Sequence, residues 1–163
     1  MHEERIVPHQ ESELEYAGFW SRVGASLIDT LIMFMITAPM LVAVYGMSYW
    51  ENEAFIAGWA DFVISYVLPA VIVILLWNRL STTPGKMAIG ATIVDARTGG
   101  KPTTGQFVTR YLGYFVSMIP LFLGIIWVGF DPRKQGWHDK MAGTVVIRRK
   151  GGAAEPVSFD QPH

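Results

Sequence analysis

The chain has 163 residues, 51% of them hydrophobic, and a formal net charge of −1. That length fits a single domain, and the near-neutral charge gives no basis for a nucleic-acid partner. There is no cysteine, which excludes disulfides, thiolate catalysis and Cys-ligated metals. The apolar residues gather into long runs, so the chain reads as an integral membrane protein whose first partner is the lipid bilayer.

Residues 1–15 carry Glu3, Glu4, Glu11, Glu13 and Glu15 against Arg5 and read as a mobile acidic tail. His2 and His9 would bind a metal there only by chance, and no cofactor is expected. The first apolar run follows this polar stretch, is too long for a signal-peptide core and has no A-x-A-like site after it, so it reads as a retained anchor.

From Val23 to Met47 the only formally charged side chain is Asp29. At about 1.5 Å per residue the run is long enough to cross roughly 30 Å of hydrocarbon. Asp29 then lies about two turns inside, where a carboxylate costs roughly 2.5–3.5 kcal/mol. Arg22 falls on the same helix face about 10 Å away, within reach of the carboxylate directly, through water or through a neighbouring helix. Aromatic residues from Tyr16 to Trp20, and then Tyr45, Tyr49 and Trp50, mark the two interfaces. Pro39 is expected to kink the span.

A second run, Ala54 to Asn78, contains Asp61 and Pro69. Trp59 indicates interfacial depth, which puts Asp61 at the mouth of the span. Thr83-Pro84-Gly85-Lys86 reads as a turn. Ala91 to Ala96 alternates and is rich in β-branched residues, so it reads as a short strand. Thr98-Gly99-Gly100 ends it, and the glycines of this turn-rich stretch fit neither a P-loop nor a dinucleotide fingerprint. Thr103 to Gln106 has capping-box spacing and should start a helix carrying Arg110. That helix runs apolar from Tyr111 to Phe130 with a break at Pro120. Trp137 to Ala142 reads as a helical turn, and Thr144 to Arg149 as a second strand. Residues 16–150 thus form the membrane domain, and 151–163 a disordered C-terminal tail.

Basic residues are absent between Gly46 and Trp77 and accumulate at Arg22, from Arg79 to Lys101, and after residue 131. The positive-inside rule places all three regions in the cytoplasm. Three full spans would contradict this and would separate the two strands. The expected architecture is therefore an all-α, multi-pass protein of the inner (cytoplasmic) membrane with both termini cytoplasmic. It has two transmembrane helices, a third segment that is re-entrant or Pro-kinked near Pro120 and Gly124, and a small cytoplasmic β cap pairing the Ile93 and Val146 regions.

Three stretches, F-W-S-R-V-G-A-S-L-I-D, T-P-G-K-M-A-I-G-A-T-I-V-D and R-K-Q-G-W-H-D-K-M-A-G-T-V-V-I, together resemble the RDD family of small integral membrane proteins, over about residues 16–149. The resemblance matches the family's arginine to Arg22, its first aspartate to Asp29 and its second to Asp139. It implies transport, without a defined substrate. The short third segment departs from a simple three-span pattern.

Two functions follow. In one, Asp29, Arg22 and Asp139, with His138, Arg110 and Asp61, build an ion or proton site for a monovalent cation or proton, and His138-Asp139 forms a relay. In the other, the same Arg/Asp cluster is structural in a non-transporting scaffold, assembly partner or lipid-binding module, and Asp139 caps a helical turn and holds Arg22 or Arg110. The first needs a homo-oligomer or another membrane protein to enclose a path. No nucleophile elbow supports an enzyme.

Overall fold

The computed structural model describes residues 14–149 and Phe159. Strand β1 (Leu14–Tyr16) leads into helix α1 (Phe19–Tyr45), which is 27 residues long. Leu27, Leu31, Phe34 and Met35 are all exposed along it, as on a helix suited to a lipid surround. Pro39 lies within this one continuous helix. After a 3₁₀ turn at Met47–Glu51, α2 (Trp59–Leu80) runs 22 residues and widens to a π turn at Val63–Val67. The widening sits just before Pro69, which has no N–H to give to the carbonyl four residues back. Both helices are long and apolar enough to cross a membrane.

The expected turn at Thr83–Lys86 is instead the short helix α3 (Pro84–Ala88). Pro84 supplies the φ of a first helical residue, and a carboxylate from α1 holds the N–H that follows, which no local reading of four residues reveals. Strand β2 (Ala91–Asp95) comes next. The predicted capping box opens α4 (Thr104–Met118): Thr103 Oγ1 accepts from the Gln106 N–H at 3.2 Å, and Gln106 Oε1 accepts from the Thr103 N–H at 2.8 Å. The chain then bends by 114° into α5 (Leu123–Gly129, its last turn 3₁₀). The bend is made at Leu121 and Phe122, both at positive φ. This bent pair is the third candidate membrane segment. Helix α6 (Trp137–Ala142) and strand β3 (Thr144–Arg149) complete the fold.

The sheet has the order β1-β3-β2, antiparallel throughout. Ile93 faces Val146 in register, as expected, and Tyr16 faces Ile147 on the other side. The cap therefore has three strands where two were expected. Leu14 and Glu15, assigned to the acidic tail, belong to the added strand, and Glu15 is buried against Arg148 (Nε to Oε1, 2.6 Å). Residues 1–13 of that tail lie outside the described residues, as does the C-terminal tail except Phe159, which packs on the sheet.

Alternation along the strands makes two cores. One gathers Tyr16, Val94, Val145 and Ile147, with Phe159 against it. The other gathers Trp77, Ile93, Phe107 and Val146 and joins the sheet to the ends of α2 and α4. The start of α1, the end of α2, the start of α4 and α6 thus meet at the sheet.

Candidate functional site

Asp139 sits in the first turn of α6, and its side chain is fully buried. Its Oδ2 accepts from Arg22 Nη1 at 2.6 Å and from the Gly136 N–H at 3.0 Å, so it caps its own helix and holds α1 at once. Its Oδ1 accepts from Arg110 Nη1. Arg22 is fixed further by the carbonyls of Ala17 (2.9 Å, from Nε) and Lys134 (2.6 Å, from Nη2). Arg110, fully buried on α4, also donates to Thr144 Oγ1 at 2.9 Å and lies over the Trp77 ring, 5.5 Å from its centroid. One carboxylate therefore ties together α1, α4 and α6.

Asp29 does not take part in this knot. Its Oδ2 accepts from Thr83 Oγ1 at 2.5 Å and its Oδ1 from the Gly85 N–H at 2.7 Å, so it caps α3 from outside. The pairing of Arg22 with Asp29 read from their spacing is absent, because a residue 117 positions away satisfies the guanidinium. Gly85 is required by contact: a Cβ there would lie 1.9 Å from the Ala25 carbonyl oxygen. That approach carries Lys86 into the interior, where its ammonium meets Thr83 Oγ1 at 3.5 Å. Burial lowers the Lys86 pKa, the charges of Tyr114 and Asp29 work against that, and Arg110 and Arg22 add to it. The sequence counts Lys86 only as a turn residue and as one of the basic residues between Arg79 and Lys101. Its neighbour Gly85, next to a proline, was the available signal of close packing.

His138 is buried and stacked on Tyr114, with ring centroids 4.1 Å apart. Its Nε2 lies 3.4 Å from Asp139 Oδ2 and its Nδ1 3.5 Å from Ser117 Oγ. Burial first, then the charges of Arg110, Arg22 and Lys86, hold its pKa well below 6.5, so the ring is neutral at pH 7.

Asp61 stands apart, in a second buried network at the far end of α1. It accepts from Tyr49 Oη (2.9 Å), Ser65 Oγ (2.7 Å) and the Ala57 N–H (2.8 Å), while its own N–H donates to Tyr45 Oη at 3.0 Å. Its place in the first turn of α2 agrees with a position at the mouth of that helix. Its grouping with Arg22 and Asp139 does not hold.

Beside the knot is a cavity of about 230 Å³. Arg22, Tyr114 and His138 are its least exposed polar lining residues, and Val23 and Val128 are among its apolar ones. No cluster of His, Cys, Asp or Glu among the described residues is arranged to hold a metal.

No solved structure matches the chain. The uncharacterised membrane protein YteJ of Bacillus subtilis (strain 168) is 31% identical over 150 residues, covering 86% of this chain and 88% of its own. Protein YxaI of the same organism, also uncharacterised, is 26% identical over 80% of this chain and 96% of its own. The Rickettsia prowazekii (strain Madrid E) protein RP437 is 41% identical over 75 residues, a match spanning 46% of this chain and 41% of that protein. The profile of the RDD family matches residues 16–143. Arg22, Asp29 and Asp139 all fall within that match, and the chain belongs to the RDD family of membrane proteins.

Proposed function

We propose that this chain is a non-transporting membrane module in which the family's Arg/Asp residues lock two membrane helices and a re-entrant segment to a surface cap. In this reading it lies in the inner membrane, multi-pass, with both termini and the β cap in the cytoplasm, where the cap meets an assembly partner. One observation carries the reading. Each oxygen of Asp29 and Asp139 accepts a hydrogen bond from a protein donor, and the donors join separate elements. A carrier carboxylate must exchange its ligands during each cycle, and here release would unfasten the fold. The positive-inside distribution of Lys and Arg supports the orientation.

The second reading, translocation of a cation, proton or small solute, is favoured by the cavity that reaches Arg22 and His138. A path through it would need further copies of the chain or another membrane protein. Flux in proteoliposomes under sodium, potassium and proton gradients separates the two. The lock reading expects no flux above protein-free vesicles and a loss of stability in Asp29→Asn. Flux that Asp29→Asn abolishes in a normally folded protein would overturn it.

A further inference from the structure

The cavity beside Arg22 is lined by the polar groups of Arg22, Tyr114 and His138 and by the apolar Val23, Ile125 and Val128. Ser26, Leu27 and Thr30, which edge it, are exposed on α1, a helix that is long and apolar enough to cross a membrane. Its opening therefore faces laterally, toward lipid. Its Arg22 end lies in the first turn of α1, at the depth where phospholipid headgroups reside.

Among the described residues, the charge around Arg22 is not balanced. Arg22, Arg110 and Lys86 stand against Asp29 and Asp139, while the nearby Asp131 is matched by Lys140 at 2.5 Å. Arg22 uses three N–H groups on Ala17, Asp139 and Lys134, and a guanidinium has five. The other two N–H groups of Arg22, which lines the cavity, have no acceptor among the described residues. At about 230 Å³ the space is below the roughly 300–1,000 Å³ of sites that enclose a whole drug-sized molecule. It suits a headgroup and the start of a chain, with the remainder running out past Leu27.

We propose that this cavity binds the headgroup of one anionic phospholipid, with the phosphate toward Arg22 and the acyl chains leaving along α1 between Ser26, Leu27 and Thr30. The site is independent of whether the module transports anything.

Native mass spectrometry of the full chain released from neutral maltoside micelles tests this. The probes are phosphatidylglycerol, phosphatidylcholine with the same acyl chains, and inorganic phosphate. One retained phosphatidylglycerol is expected, bound about tenfold more tightly than phosphatidylcholine, with no competition from phosphate at equal concentration. Leu27→Trp, at an exposed position on the cavity edge, should weaken that adduct about tenfold. Leu31→Trp, exposed one turn further along and outside the lining, should leave it unchanged. Equal retention of both lipids, or an adduct indifferent to Leu27→Trp, would overturn the site. Displacement by phosphate alone would overturn the lipid as its occupant.

Discussion

Asparagine at position 139 keeps the shape of the aspartate and removes its charge, and so leaves the guanidiniums of Arg22 and Arg110 facing a neutral amide. Arg110 and Asp139 are fully buried and Arg22 is 11% exposed, so water does little to compensate. Removing one partner of such a buried pair costs about 3–5 kcal/mol. Asparagine at position 29 is milder. Its carbonyl still accepts one of the two bonds from Thr83 and Gly85, and the loss is one hydrogen bond to a charged group, about 1.5–3 kcal/mol. A double-mutant cycle sharpens the contrast. Arg22→Ala with Asp139→Asn should show a coupling of about 2 kcal/mol, within the range for residues in one network. Arg22→Ala with Asp29→Asn should add within about 0.5 kcal/mol, because the two positions lie roughly 10 Å apart along the helix and share no hydrogen-bond partner. Equilibrium unfolding in maltoside micelles, followed by circular dichroism, measures all six proteins. If Asp29→Asn costs more than Asp139→Asn, or if the larger coupling falls on Arg22 with Asp29, the knot is wrongly assigned.

A folded-state pKa of His138 well below 6.5 means that the unfolded chain takes up this proton first as the pH falls. Stability should therefore be full above about pH 6.5 and decline below it, by at most about 1.4 kcal/mol per pH unit. His138→Gln should flatten that slope between about pH 6.5 and 5, read from unfolding midpoints; an unchanged slope would remove His138 as its source. For topology, the chain has no cysteine, so Thr98→Cys, Met141→Cys and Asn52→Cys, all at exposed positions, can be labelled singly in sealed vesicles. The first two should react only from the cytoplasmic face and the third only from the opposite one. Labelling of Thr98→Cys and Met141→Cys from opposite faces would refute the same-side cap.

What sequence reading captured was local. The two long helices follow from unbroken apolar runs, the start of α4 from the Thr103/Gln106 box, and β2 and β3 from alternation over a few residues. What escaped it depended on distance along the chain. Strand β1 is three residues long and contains a glutamate, so it shows no pattern; only Arg148, 133 positions later, turns Glu15 into a buried group. Helical spacing offered Asp29 as the partner of Arg22 because spacing reports neighbours on one helix and nothing beyond it. Arg22, Asp29 and Asp139, which the resemblance grouped together, divide between two separate devices, a three-helix knot at Asp139 and an external helix cap at Asp29.

In the cap, β3 is both the central strand and the last to be synthesised, with β1 and β2 as the edges it joins. Neither edge strand can pair with it until β3 has been made, and Asp139 becomes available only just before that strand. Until residue 139 has been made, the Arg22 guanidinium lacks the carboxylate that neutralises it in the folded chain, and a lone charge of that kind is best kept in water. The same guanidinium is taken into the knot only by Asp139, 117 positions further along the chain. The first helix is thus latched from the far side of the fold, by the short helix that precedes the central strand.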